Sequence, residues 1–346
     1  MNRDEFLTIL NQAAPALSSK DLVPILACFC FDGKTVMAYD DTVALRIPCV
    51  TEFAGGVRGD VLLGFLKATR AKEVAFDFEK ANQLVVLAGR AELKQPLVPV
   101  ADFVFEEPKT AGALQLPLVP ELVDGLKKCL ISMGRDPAHS WRLGITISFS
   151  RTKIQLFSSD NQIASRVELK CELPEEFENE SVVLPPKFVE LLISSAGKKA
   201  EGTLTLTAGW VKLEYSNGAV LFARAIDTVD VQAFNKVFAC EAGASFVPIP
   251  RGFSRCIDRA LVVCRSMNDG GTDARLKDGH MELETKTALG EVFDAIPVPE
   301  HPDTTIRMLP DLINRVIEAG TEIRFNERNV LVRNGSLLHF IRVLQK

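Results

Sequence analysis

The sequence predicts an α+β protein built from three tandem copies of one unit, each copy being two helices packed on antiparallel sheets. Three observations predict it. A short amphipathic helix followed by alternating strands recurs from Val61, from Lys187 and from Asp311. A second helix, followed by its own block of strands, precedes each of these, from Asp4, Pro120 and Pro250. The spacing is also regular, with Pro120 and Pro250 130 residues apart and the matching helix positions Phe188 and Leu312 124 apart.

The elements follow in order. DEFLTILNQAAPAL, from Asp4, reads as a helix, and LVPILACFCFDGKTVMAYDDTVALRIPCV, from Leu22, as strands. VLLGFLKATRAKEVAFDFEKANQLVVLAGRAELKQPLV then gives a second helix, a basic break and a hairpin. PELVDGLKKCLISMGR and PRGFSRCIDRALVVCR open the other two copies with proline in the first turn, where its missing N–H costs nothing. Turn-rich or acidic stretches at Glu106–Ala113 and Ala239–Ser245 separate the copies, giving domains at 1–112, 113–241 and 242–346. The third copy is the weakest match, because SMNDGGTDA stands where a strand should begin.

Composition narrows the function. With 47% apolar and 25% charged residues, the chain is an ordinary packed protein of more than one core. Its longest apolar run, Leu22–Phe31, is half a membrane span and reads as a buried strand. MNRDEF has no export signal, so a cytoplasmic location is expected. The eight cysteines show no CxxC or paired spacing, and reduced, buried thiols are the reading; Cys28 and Cys30 would share one strand face. No phosphate loop, GxGxxG, GxSxG or HExxH is present, and His139, His280, His301 and His339 are scattered. Asp40 and Asp41, with Asp160 at the equivalent corner of the second copy, suit turns better than a metal site. No cofactor, metal or catalytic residue is expected.

The net charge of −5 argues against nucleic acid until it is divided by element. Residues 2–14, 58–73, 119–135, 186–199, 250–265 and 309–319 read as helices and carry 16 Lys/Arg and 10 Asp/Glu, leaving −11 elsewhere. Arg251, Arg255 and Arg259 recur every four residues as one stripe, Lys128 and Arg135 share a face, and so do Lys67 and Arg70. Any one of these alone is a solvated helix face. Five helices of six carrying such cations in an acidic chain instead suit binding to phosphates without base reading.

LVPILACFCFDGKTVMAYDDTVALRI, ELKQPLVPVADFVF and FSSDNQIAS resemble, in that order, segments of the bacterial-type β sliding clamps, the processivity subunit of DNA polymerase III. The resemblance implies three domains per chain, a head-to-tail homodimer closing into a ring around double-stranded DNA, and a pocket for short peptides of the replicative polymerase and clamp loader. By that likeness DNA would meet Lys20, Lys67, Arg70, Lys127, Lys128, Arg135, Lys198, Lys199, Arg251, Arg255 and Arg259. The peptide pocket would use Leu143, Ser159, Ile163, Ala164, Phe340 and Leu344, and the dimer contact Val262 and Val263. Asn161-Gln162-Ile163-Ala164 replaces the family's Gly-His-Arg-Leu, and IRVLQK its Met-Pro-Met-like end, as in a divergent member of the kind phages and plasmids carry. A repeat-built scaffold that never encircles DNA, and a nucleic-acid-processing enzyme, are the alternatives.

Overall fold

The computed structural model describes residues 1–19, 23–78, 82–103, 105–110, 113–136, 142–196, 201–207, 209–226, 231–243, 245–264, 270–299 and 301–344. The first run of elements is α1 (Arg3–Ala13), β1 (Cys28–Asp32), β2 (Thr35–Tyr39), β3 (Val43–Pro48), β4 (Ala54–Arg58), α2 (Gly59–Ala68), β5 (Ala75–Asp77), β6 (Gln83–Ala88) and β7 (Ala91–Pro96). After β8 (Leu114–Pro117), the order returns as α3 (Pro120–Cys129), β9 (Ile145–Ser150), β10 (Lys153–Ser159), β11 (Ile163–Lys170), β12 (Ser181–Leu184), α4 (Pro186–Ala196), β13 (Gly202–Thr207), β14 (Trp210–Tyr215) and β15 (Val220–Arg224). Two elements outside the repeat follow, α5 (Val231–Phe238) and β16 (Val247–Pro248). The third run is α6 (Phe253–Val263), β17 (Thr272–Lys277), β18 (His280–Thr287), β19 (Gly290–Pro297), β20 (Thr304–Met308), α7 (Pro310–Ile317), β21 (Glu322–Asn326), β22 (Asn329–Asn334) and β23 (Leu337–Arg342).

Helix, four strands, helix, three strands therefore occurs three times, the three-strand block holding one strand more than the hairpin that the sequence pattern displayed. The four-strand blocks pair in the spatial order fourth, first, second, third, as in a Greek key. β4 escaped detection because Gly55 and Gly56 remove the side chains that would alternate.

The residues form two compact units, Met1–Pro120 with Lys187–Ala225, and Glu121–Pro186 with Ile226–Lys346. This division cuts the second sequence copy because its two sheets each continue a neighbour's. In the first unit one sheet runs β4-β1-β2-β3-β15-β14-β13-β8, beside a small sheet β5-β6-β7. In the second unit one runs β12-β9-β10-β11-β23-β22-β21-β16, beside β19-β18-β17-β20. Among the described residues every pairing between these strands is antiparallel.

Local chemistry sets several boundaries. Asn2 caps α1, its side-chain oxygen accepting from the amides of Asp4 and Glu5 at 2.9 and 3.2 Å. The apolar run expected to be one strand from Leu22 is instead a tight turn at Pro24–Ala27, and β1 begins only at Cys28; proline has no N–H for the ladder. Cys28 and Cys30 are buried free thiols, and burial pushes Cys30 up to about 11. In the second unit α6 and α7 bury Phe253, Ile257, Leu312, Ile313, Val316 and Ile317 in one core with β17, β18 and β21–β23. Each such side chain stabilises by roughly 1.5–3 kcal/mol.

One buried polar chain crosses this unit. Ser158 donates to the carbonyl of Cys129 at 2.8 Å, Ser132 and Ser158 oxygens lie 2.7 Å apart, Ser132 and Ser165 2.6 Å, and Ser165 and His339 Nδ1 2.7 Å. Because Ser158 spends its proton on the carbonyl, Ser132 donates to Ser158, Ser165 to Ser132, and His339 Nδ1–H to Ser165. The imidazole is thereby fixed as the Nδ1–H tautomer, and its Nε2 is buried without a partner. Burial lowers its pKa from 6.5 to about 4. The unfolded chain takes up this proton near pH 6.5 and the folded one near 4, so the stability present above 6.5 is lost as pH falls through that window. The loss is about 2 kcal/mol by pH 5 and about 3 by pH 4. We expect His339→Gln to flatten this part of the profile; equal pH dependence of urea unfolding in variant and wild type between pH 7.5 and 5 would exclude His339 as its source.

Candidate functional site

Each large sheet contains a joint where the third strand of a four-strand block meets the third strand of a three-strand block. In the first unit β3 pairs with β15, with Ala44 opposite Phe222 and Arg46 opposite Val220. In the second unit β11 pairs with β23, with Ala164 opposite Phe340 and Arg166 opposite Leu338. Both joints are pinned by the same parts. An aspartate closes the preceding turn, Asp40 accepting from the amides of Thr42 and Val43 and Asp160 from those of Gln162 and Ile163. The next residue takes positive φ, 81° at Asp41 and 77° at Asn161, the left-handed region that Asp and Asn tolerate. Turn geometry thus occupies the carboxylates that might have suggested a metal site.

The aspartate then meets a cation from the second helix of the neighbouring block: Lys187 of α4 for Asp40, and Arg315 of α7 for Asp160 at 2.8 Å. Burial works against ionised Asp40, but hydrogen bonds from Lys187, Val43 and Thr42 outweigh it and hold the carboxyl below its ordinary range. An arginine two residues beyond the paired alanine binds a glutamate, Arg46 to Glu107 at 2.7 Å and Arg166 to Glu241 at 2.5 Å.

The joints differ in what covers them. At the first, Phe105 packs against Tyr39, Trp210 and Phe222 with ring centroids 5.1, 5.9 and 5.2 Å apart. At the second, α5 lays Phe234 and Phe238 on Phe157 at 5.1 and 6.2 Å, and a cavity of about 150 Å3 remains beside it. Its lining includes Ser159, Ile163, Ala164 and Phe340, four of the six residues expected. Asn161, Gln162, Ala233, Phe234 and Val237 join them. The α5 residues were missed although VQAFNKVF places Val231, Phe234 and Phe238 on one helical face.

Leu143 and Leu344 are not in that lining. Leu143 bridges to Gly134. Leu344 bridges to Arg307 and packs on the α6–α7 core, while Val343 is buried in it. Removing residues 342–346 therefore strips core side chains, and a truncation is no clean test of the cavity.

The charge pattern also needs correction. Within the helices as folded, α1–α4, α6 and α7, eight Lys/Arg face eight Asp/Glu. The expected excess lies at their ends and flanks, Arg70 beyond α2, Arg135 beyond α3 and Arg251 before α6. The arginine stripe is broken: Gly252, at φ 87°, turns the chain so that α6 starts at Phe253 and Arg251 lies off it. Arg259 is committed to Asp294 through two nitrogens, at 2.6 and 3.0 Å. Lys128 pairs with Asp124 at 2.8 Å. Lys67, Arg70, Lys127, Arg251 and Arg255 are exposed and make no ion pair among the described residues. Lys20, Lys198 and Lys199 lie outside the described residues, as does His139.

Val262 and Val263 part company. Val262 is 63% exposed, but Val263 is 8% exposed and its carbonyl accepts from Thr287 at 3.0 Å. Two further exposed apolar residues, Leu289 at 64% and Phe293 at 63%, lie on the turn into β19 and on β19 itself. Among the described residues no helix is long and apolar enough to cross a membrane, and no cluster of three or more His, Cys, Asp or Glu could hold a metal ion.

No protein-family model matches the sequence, and no curated protein does. Solved structures do match. A DnaN sliding clamp (DNA polymerase III subunit beta) from Bartonella birtlesii, bound to griselimycin, is similar at a TM-score of 0.88 with 15% identity, covering 100% of this chain and 98% of that one. The beta subunit of the Streptococcus pyogenes DNA polymerase gives 0.86 at 14% identity, covering 100% and 99%. The DNA polymerase III beta subunit of Thermotoga maritima gives 0.84 at 18%, covering 100% and 98%. Over its whole length, this chain has the fold of the DNA polymerase III β sliding clamps.

Proposed function

We propose that the protein is a sliding clamp: a homodimeric ring of three domains per chain, 1–112, 113–241 and 242–346, that encircles double-stranded DNA without reading its sequence. It performs no chemistry and tethers a replicative polymerase and clamp loader by short peptides seated at the cavity beside α5. One observation carries the reading. Two joints of third strand to third strand are made within the chain, and one strand of each kind, β19 and β7, is left at a sheet edge. A second copy supplies what each lacks, β19 of one chain meeting β7 of the other, twice by symmetry. The exposed Phe293 lies on β19 and the exposed Leu289 just before it, and α6, which carries the exposed Val262, contacts β19; Leu87, 40% exposed, lies on β6 next to β7. A scaffold that never encircles DNA leaves this matched pair of edges unexplained.

The edge pairing is tested by Val262→Asp with Phe293→Asp, which leaves buried Val263 alone. Wild type should scatter light at twice the 38.0 kDa chain mass and the variant at once that mass, with native circular dichroism. A variant that stays dimeric at micromolar concentration would place the contact elsewhere.

Phosphate contact falls to the exposed, unpaired cations, so Arg251→Glu with Arg255→Glu should abolish retention on nicked circular DNA while preserving the dimer. Arg259 is spared because its reversal would set a glutamate against Asp294. Wild-type retention should be lost on linearising the circle and should weaken steeply with salt. Equal retention on linear and circular DNA would rule out the ring.

For the cavity, Val237→Asp places a charge among apolar side chains and should weaken binding of a clamp-binding peptide at least tenfold. Calorimetric titration giving an unchanged Kd would remove the cavity from partner binding.

A further inference from the structure

A second, larger cavity, of about 580 Å3, lies further along the same strands of the second unit, and its walls are charged. Its cations are Lys153 at the start of β10, Arg166 and Lys170 on β11, and Arg333 on β22; its anions are Glu168 and Glu241. Arg333 is held by Glu322, outside the lining, at 2.8 Å, so three cations, Lys153, Arg166 and Lys170, face two carboxylates, and the hollow is positive by one charge in a chain of net charge −5. Side chains alternate along a strand, so Arg166, Glu168 and Lys170 share a face with Ala164, which lines the smaller cavity.

The two carboxylates do not satisfy Lys153, Arg166 and Lys170. Glu241 binds Arg166 at 2.5 Å, and Glu168 stands 3.6 Å from Lys153 and 3.4 Å from Arg166 Nε. That Nε is nonetheless buried without a hydrogen-bond partner, while the guanidinium lies over Phe238 at 5.2 Å. Lys170 makes no ion pair among the described residues. A buried donor without an acceptor is unfavourable until an oxygen reaches it. The hollow is also of the size that holds ligands.

We propose that this groove receives carboxylate side chains of an acidic peptide segment, carried by the same partner whose apolar anchor occupies the smaller cavity. The second clause rests on the clamp reading; the groove's affinity for carboxylates does not. Glu168 and Glu241 repel any anion set against them; a peptide can place its few carboxylates on Lys153 and Lys170 and turn neutral N–H groups to these two acceptors, which a backbone with a phosphate at every unit cannot. From Ala164 to Lys170 is six residues of strand, roughly 20 Å, so an extended partner would carry its acids four to six residues from the anchor.

Three synthetic peptides titrated into the full chain test this: an acidic Gly/Ser/Glu octapeptide without apolar side chains, a Leu-Phe anchor with a Gln pair five residues away, and the same anchor with a Glu pair. Expected are weak binding of the octapeptide, and at least fivefold tighter binding of the Glu than of the Gln peptide at low salt. Both effects should vanish in Lys153→Gln/Lys170→Gln, whose affinity for the Gln peptide should equal wild type. Octapeptide binding without Gln-peptide binding supports the groove and refutes the shared partner along with the anchor. The proposal is overturned by an octapeptide that does not bind, by Glu and Gln peptides of equal affinity, or by a Glu advantage that survives in the variant. A thymidine oligonucleotide that displaces the octapeptide at equal concentration overturns it too, assigning the groove to phosphate.

Discussion

The structure depends on the pairing of sheet edges. An open edge strand presents a row of unsatisfied amides and carbonyls, and a protein must pair, cover or blunt it. This chain pairs its edges internally where it can. β3 and β11 are each the edge strand of a four-strand block, and each finds the last strand of a three-strand block, β15 and β23. The ladders turn separate small sheets into eight-stranded ones, and the compact units follow the ladders rather than the sequence repeat. Side-chain contacts then lock the register, since a slip of one residue would send Arg46 or Arg166 to the opposite face.

The repeat gives an internal control on what each side chain does. Whatever both joints share belongs to the joint: the turn aspartate, the positive-φ residue after it, the helix cation bound to the aspartate, and the arginine with its glutamate. Whatever only one joint has belongs to something else. The cavity beside α5 is of that kind, because the equivalent ground at the first joint is taken by Phe105. Among the described residues helix α5 has no counterpart in the other two copies, and it helps wall the cavity.

Sequence periodicity made the six repeating helices and most strands legible, because each buries one face against a sheet. Leu62, Leu63 and Leu66, or Leu312, Ile313, Val316 and Ile317, write that face directly. Short strands with glycine, such as β4, carry too few side chains to announce themselves. The start of α6 was misjudged because Pro250 resembles a first-turn proline, whereas the left-handed turn at Gly252 delays the helix. Four cavity residues were found by resemblance, but α5 lay where the repeat gives no template. Ion pairs were invisible: nothing local to Arg259 announces Asp294, 35 residues away.

Those pairings bear on how an acidic chain can hold a polyanion. Helices that carry equal numbers of acids and bases provide no net field by themselves. A cation locked to a carboxylate adds a dipole, whose field falls off faster than that of a charge, and salt screens both. On the proposed clamp reading, what acts on a phosphate backbone is the subset left unpaired, Lys67, Arg70, Lys127, Arg251 and Arg255, four of which stand in the last turn of a helix or just off a helix end. Cations near helix C-termini also offset the partial negative charge of the last carbonyls, so Lys67 and Lys127 suit the fold whether or not DNA is present. Arg251 and Arg255, at the N-terminal end of α6, oppose that preference. Neither has a carboxylate partner among the described residues, and the fold offers no electrostatic reason for them; on the proposed clamp reading they are free to meet phosphate.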